Sequence, residues 1–204
     1  MTKIKICGLR RPEDIEYVNE VKADFAGFIL SPKFWRYIAP EQVKILRKNV
    51  PSSTKIVGVV VDEDINYVAS LINDGTIDIA QLHGSENEDY IRKLRLLTSD
   101  RAVITKVFII KSDEDIKKAK ASSADYVLLD SGTGTGNTFD WTIIRDIGRD
   151  YFLAGGLNPS NVGEAVLKYH PFAVDVSSGV ETEKIKDSEK IKLFAQAVRS
   201  NTKA

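Results

Sequence analysis

The chain has 204 residues, of which 43% are hydrophobic and 28% charged, and its 29 lysines and arginines balance 29 aspartates and glutamates. A globular chain of this size buries roughly 70% of its extended surface without a metal or disulfide staple, and zero net charge gives no global pull toward nucleic acid or an anionic membrane. One cysteine (Cys7) and two histidines (His83, His170) exclude a disulfide framework and any cysteine-rich zinc or iron–sulfur site.

The chain opens on Met1-Thr2-Lys3-Ile4-Lys5-Ile6. This charged, alternating stretch reads as neither a signal peptide nor a membrane span and points to the cytoplasm. Lys3–Cys7 predicts a strand and Pro12–Val21 a helix, with Pro12 where its missing N–H costs nothing. Strand Phe25–Leu30 then precedes helix Pro40–Leu46, strand Lys55–Val61 precedes helix Asp64–Ile72, and strand Ile77–Leu82 precedes helix Glu88–Leu97, capped by Ser85 or Asn87. Strand Val103–Ile110 leads to helix Asp113–Ala121, whose acidic first turn suits the helix dipole. Strand Tyr126–Leu129 is followed by helix Trp141–Ile147, strand Tyr151–Ala154 by helix Pro159–Leu167, and strand Phe172–Val176 by helix Lys184–Val198. Residues 200–204 read as a frayed tail.

These units average about 25 residues, close to a minimal βα repeat, and no linker or low-complexity segment divides them. The fold class is α/β, and the expected architecture is a minimal-length (β/α)8 TIM barrel formed by one domain, 1–204. An open, doubly wound sheet alternates strand and helix in the same way, and periodicity alone does not separate the two.

In a barrel, chemistry sits where strands end and βα loops begin. Cys7 closes the first strand next to Gly8, either as a small buried hydrophobe or as a base needing a cationic neighbour. Asp130 stops an apolar strand, either as a cap or as a general acid. His83 ends the fourth strand, and His170 falls at the opposite face as a structural residue. Arg36 lies in the basic, aromatic run Ser31–Tyr37, where its planar fork suits a carboxylate. Gly155-Gly156 and Ser177-Ser178-Gly179 follow the seventh and eighth strands, where small residues expose backbone N–H groups to an anion. The run Ser131–Thr138 lacks the lysine of a P-loop and the spacing of a dinucleotide fingerprint, and is read as a lid. No histidine–carboxylate grouping forms a recognisable metal motif.

Taken together, these residues resemble the phosphoribosylanthranilate isomerase family of tryptophan biosynthesis. The resemblance runs over almost the whole chain. It begins with Lys5-Ile6-Cys7-Gly8, Gly27-Phe28, Ser31-Pro32, Arg36 and Gln81-Leu82-His83-Gly84. It continues with Leu129-Asp130, Gly134-Thr135-Gly136, Phe139-Asp140-Trp141, Ala154-Gly155-Gly156-Leu157 and Asp175–Glu181. Each motif is weak alone, and together, in this order, they are specific.

The resemblance implies a (β/α)8 barrel that performs an Amadori rearrangement of N-(5-phosphoribosyl)anthranilate without metal or cofactor. Asp130 then corresponds to the general acid and Cys7 to the general base. Arg36 corresponds to the residue holding the anthranilate carboxylate, Gly156 and Ser177, Ser178 and Gly179 to the phosphate site, and Gln81 and His83 to further substrate-binding residues. The expected partner is a small molecule carrying phosphate and the anthranilate carboxylate, with no nucleic acid or membrane, on a monomer or homodimer. The loop after Asp130 departs from the family by being short, with Thr133-Gly134 where a glycine pair is usual. Two rival readings are another phosphosugar-processing barrel, of indole-glycerol-phosphate synthase type for example, and a non-catalytic phosphate-binding barrel.

Overall fold

The computed structural model describes residues 1–99, 101–130, 144 and 147–201. Eight parallel strands pair in chain order: β1 (Lys3–Cys7), β2 (Phe25–Ile29), β3 (Lys55–Val60), β4 (Ile79–Leu82), β5 (Val103–Ile109), β6 (Tyr126–Asp130), β7 (Tyr151–Leu153) and β8 (Ala173–Val176). β8 returns to β1, with Ile4 opposite Val174 and Lys5 opposite Asp175, so the sheet closes into a barrel rather than staying open. Around it lie α1 (Pro12–Glu20), α2 (Pro40–Arg47), α3 (Ile65–Asn73), α4 (Glu88–Leu97), α5 (Asp113–Ala121), α6 (Val162–Tyr169) and α7 (Ser188–Asn201). Most of the 141–147 helix and the whole 131–138 glycine run lie outside the described residues.

Strand residues alternate between two hydrophobic layers, as a period of two requires. Ile4, Ile6, Ala26, Phe28, Ile56, Val60, Leu82, Leu129 and Val174 pack outward against the helices. Phe25, Val57, Ile79, Val107, Leu128, Phe152, Ala154 and Ala173 fill the lumen. Rings of Phe25, Tyr126, Phe152 and Phe172 meet with centroids 5.1–5.8 Å apart, and the Lys3 ammonium lies 4.8 Å from the Phe172 ring. These rings plug this end of the lumen.

Two predicted helices begin later than expected. Pro159 does not open α6, because the Asn158 side chain accepts from Ser160 N and Asn161 Oδ1 accepts from Asn158 N, which holds a turn until Val162. The helix expected from Lys184 starts at Ser188, after a hairpin of β9 (Glu181–Thr182) and β10 (Ile185–Lys186). Glu183 and Lys184 take positive φ values of 51° and 64°, which suit a two-residue turn. The hairpin carries Lys186 inward to an ion pair with Glu181, and Asp187 Oδ1 accepts from Lys190 N in the first turn of α7.

At the plugged end one arrangement recurs with a period of two strands. Asp24, Asp78 and Asp125, each just before an even-numbered strand, accept the N–H of Ile4, Ile56 and Ile104 on the preceding strand at 2.7–2.9 Å. Arg47 at the end of α2 pairs with Asp78, and Arg95 of α4 pairs with Asp125. Arg199 of α7 donates to the carbonyls of Val21 and Lys22 just before Asp24. These carboxylates pin strand register where the helices turn back, far from the open mouth. Asp24→Ala leaves the Ile4 N–H unsatisfied and should cost about 1–3 kcal/mol. In a thermal melt that corresponds to a fall of about 2–4 °C per kcal/mol for a chain of this size. Asp24→Asn keeps an acceptor and should lose less; equal melting of all three proteins would contradict the assignment.

Candidate active site

The lumen residues nearest the C-terminal strand ends are the ones the strand period turns inward above the apolar plug. Cys7, Ile29, Val59, Gln81, His83, Asp130, Ala154 and Asp175 line a cleft of about 790 Å³, open mouth included. Arg36, Gly155, Gly156, Leu157, Ser177, Ser178 and Gly179 form its rim. The expected residues Cys7, Arg36, Gln81, His83, Asp130, Gly156, Ser177, Ser178 and Gly179 therefore line one cavity, at the end of the barrel where βα loops gather, while the expected lid lies outside the described residues.

Cys7 is buried, and its sulfur owes its room to Gly27 on β2, where an added Cβ would lie 2.9 Å from Sγ. Burial pushes its thiol above the ordinary range, nearby Lys5 and Lys186 pull it back, and Asp175 adds to the rise. Across the cleft, His83 Nε2 lies 3.8 Å from Asp130 Oδ2, beyond a direct hydrogen bond. Burial lowers the proton affinity of His83 despite Asp130, so its imidazole is neutral near pH 7, with one donor and one acceptor nitrogen.

Arg36 sits in the loop after β2, which folds back so that Ile38 N donates to the carbonyl of Ile29 and Tyr37 N to that of Phe34. Its guanidinium lies 4.1 Å from the Trp35 ring centroid. A carboxylate already meets its fork: Nε and Nη2 donate to Glu181 at 3.0 and 2.8 Å, and Lys186 Nζ reaches Glu181 Oε1 at 2.7 Å. Burial raises the Glu181 carboxyl, but Arg36 and Lys186 outweigh it and hold the group below its usual range. Glu181 and Lys186 thus fix the arginine's direction, a support invisible in the charged run Glu181–Asp187.

The loops after β7 and β8 touch. Gly155 and Gly156 hold φ values of 87° and 71°, which favour glycine, and an added Cβ at Gly179 would lie 1.9 Å from the Leu157 carbonyl oxygen. Ser178–Val180 form a single 3-10 turn, and the Ser177 hydroxyl donates to the Cys7 carbonyl at 3.1 Å. That hydroxyl braces the first strand, while small residues and backbone form the wall. Ser31, by contrast, is buried with its hydroxyl accepting from Val61 N, and His170 ends α6 with a φ of 45° on the plugged side.

Sequence reasoning named Lys5 and Asp175 within motifs but gave them no place in the site. Lys5 Nζ meets Asp175 Oδ2 at 2.7 Å, buried beneath Cys7, while Asp175 Oδ1 and Gln81 Oε1 have no hydrogen-bond partner among the described residues. The available signal was a carboxylate inside the apolar strand Ala173–Val176. Among the described residues no His, Cys, Asp and Glu grouping fit for a metal ion occurs, and no helix is long and apolar enough to cross a membrane.

Because burial raises the Cys7 thiol, its thiolate fraction should still be climbing above pH ~8.5, the usual midpoint for a free thiol. Iodoacetamide modification of this sole cysteine, followed by mass across a pH series, checks this; a midpoint below that of glutathione would contradict it.

Residues 4–197 match the family model described as N-(5′-phosphoribosyl)anthranilate (PRA) isomerase. An N-(5′-phosphoribosyl)anthranilate isomerase from Clostridium kluyveri is 44% identical over 203 residues, covering 98% of this chain and 99% of its own. The crystal structure of phosphoribosyl anthranilate isomerase from Thermotoga maritima superposes with a TM-score of 0.89 at 36% identity, covering 98% of this chain and all of that one. A second solved structure of such an isomerase holds reduced 1-(o-carboxyphenylamino)-1-deoxyribulose 5-phosphate. It matches with a TM-score of 0.87 at 35% identity over 98% of this chain and all of its own. With the closed barrel and the cleft in agreement, the chain belongs to the N-(5′-phosphoribosyl)anthranilate isomerase family.

Proposed function

We propose that the chain converts N-(5′-phosphoribosyl)anthranilate to 1-(2-carboxyphenylamino)-1-deoxyribulose 5-phosphate by general acid–base catalysis. The observation that carries this reading is one cleft lined by Cys7, Asp130, Arg36 and the two glycine-bearing loops, in a chain of this family. Asp130, as the acid, gives a proton to the ring oxygen while the bond from C1 to that oxygen breaks, leaving a C1 iminium. Cys7, as thiolate, removes the C2 proton; the C2–H electrons form a C1–C2 double bond and the iminium nitrogen becomes a neutral amine. Moving the enol proton to C1 gives the ketone. Atoms and charge balance with no oxidant or metal.

The arrangement of groups at the two ends of the cleft supports the same reading. Glu181 takes Nε and one terminal nitrogen of Arg36, so the anthranilate carboxylate is received by the remaining edge of the guanidinium, with Trp35 beneath. Gly156, Ser177, Ser178 and Gly179 receive the phosphate, and Gln81 and His83 face the ribose between. Fixing both ends leaves the sugar little freedom and converts positioning into rate.

The test is fluorescence of freshly prepared phosphoribosylanthranilate, which should fall on addition of the protein. No loss beyond spontaneous hydrolysis would overturn the proposal. Asp130→Asn, which offers hydrogen bonds but no transferable proton, and Cys7→Ser should each reduce kcat about 10²–10⁴-fold while the fold persists. Gly179→Ala forces the two loops apart and should raise KM by at least about tenfold with a smaller change in kcat. An unchanged KM would remove the phosphate from that wall.

A further inference from the structure

Beneath the cleft floor is an ion pair that the acid–base scheme does not use. Lys5 and Cys7 are two residues apart on β1 and share its inward face. Asp175 lies directly opposite Lys5 in the β1–β8 register, and Nζ to Oδ2 is 2.7 Å. Lys5 is fully buried, and Asp175 is 9% exposed where it meets the cleft. Hydrophobic side chains, among them Phe25, Val57, Leu128 and Phe152, pack the lumen below. A buried ion pair is weak as a source of stability, since packed hydrophobes of similar volume often serve as well. Its other carboxylate oxygen, Oδ1, is buried and without a partner among the described residues. Such an atom is costly unless something completes it.

We propose that Lys5 and Asp175 are the positioning pair of the Cys7 base, Lys5 serving as counter-cation to the sulfur and the open oxygen of Asp175 receiving a sugar hydroxyl of the substrate. The geometry leaves few other candidates for these tasks. Cys7 is faced by Lys5 from its own strand, Asp175 from β8 and Lys186 from β10, with Gly27 contributing no side chain from β2. The charge of Lys186 is engaged by Glu181 at 2.7 Å, and Arg36, next to Gly8, by the same carboxylate. His83 and Asp130 also line the cleft. Lys5 is likewise paired with a carboxylate, but it is the cation on the base's own inward strand face, two residues before Cys7. Burial raises the Cys7 thiol, Lys5 opposes that rise, and Asp175 adds to it. A hydroxyl donated to Asp175 draws carboxylate charge toward the substrate and leaves more of the Lys5 field for the sulfur. The base then strengthens its anionic form when a polyol is bound in the cleft. The hydroxyl contact rests on the proposed function; the charge relation within the free protein does not.

The experiment compares the full-length parent with Lys5→Met, Asp175→Asn and the double variant. Iodoacetamide alkylation of Cys7 across pH should shift in opposite directions. At pH 8 the rate should fall severalfold in Lys5→Met and rise severalfold in Asp175→Asn. Where Lys5→Met does not fold, the double variant, which retains no charge of the pair, should still alkylate more slowly than Asp175→Asn. In a second arm, Asp175→Asn should bind the reduced 1-(o-carboxyphenylamino)-1-deoxyribulose 5-phosphate about tenfold more weakly or worse, as for a lost hydrogen bond to a charged group. Its affinity for inorganic phosphate, which has no sugar hydroxyl, should be unchanged. Alkylation shifts of the same sign, or none, overturn the counter-cation role. Equal loss of phosphate and analogue binding makes Asp175 structural and overturns the hydroxyl role. A parent without isomerase activity but with opposite alkylation shifts would refute the proposed function and leave the charge relation standing.

Discussion

Where β8 meets β1, the sheet closes with Lys5 opposite Asp175, and this register fixes which side chains of β1 enter the lumen. Strand residues alternate, so a slip of one position would turn Ile6 inward and send Cys7 against the helices. The thiol's place in the cleft, its opening over Gly27 and the bracing of its carbonyl by Ser177 all follow from that pairing. The lumen enforces it from below, because Phe25, Phe152 and Phe172 leave no room for a shifted layer.

Above the closure the site is assembled from charges that are already matched before a substrate arrives. Arg36 is aimed by Glu181, Glu181 is held by Lys186, and Lys186 also donates to the Ser177 carbonyl. Groups held in this way need little rearrangement when an anion binds, which is how fixed dipoles and charges lower a barrier. Burial lowers the proton affinity of His83, which lines the same cleft as Arg36.

Much of this was legible in the sequence. The strand period and the capping residues set the elements, and Glu88–Leu97 and Asp113–Ala121 agree with the structure at both ends. The strand-end residues also gather as expected. Closure was not legible in the periodicity, because a parallel pair joining the two ends of the chain leaves no local signal; the family resemblance is what implied the closed barrel. The hairpin at Glu181–Lys186 was hidden because alternating charges there satisfy a solvent-exposed helix as readily as two short strands. Asn158-Pro159 imitates a helix start, and only the Asn158 and Asn161 side-chain bonds reveal that the turn continues. The Asp24, Asp78 and Asp125 pattern was present as a short acidic punctuation before alternate strands, but its meaning required knowing which backbone N–H each carboxylate meets.

The closure also bears on how the chain avoids its own kind while folding. The carboxylate contacts at the plugged end join residues 20–22 positions apart, whereas Lys5 and Asp175 are 170 apart. For an open chain, that longer loop costs roughly 2 kcal/mol more in closure entropy, by the logarithmic scaling of loop length. Pairing of neighbouring strands thus costs less closure entropy than the final seam, and a sheet that has not closed leaves β1 and β8 as bare edges. Bare edges recruit other chains unless something discourages them, and inward-pointing charge is one such deterrent. β1 carries lysines at positions 3 and 5, and β8 carries Asp175. Two copies of β1 stacked in parallel register set like charges against each other, as do two copies of β8. A β8 edge complements a β1 edge, so the Lys5–Asp175 pair beneath the cleft disfavours β1–β1 and β8–β8 stacking between two copies.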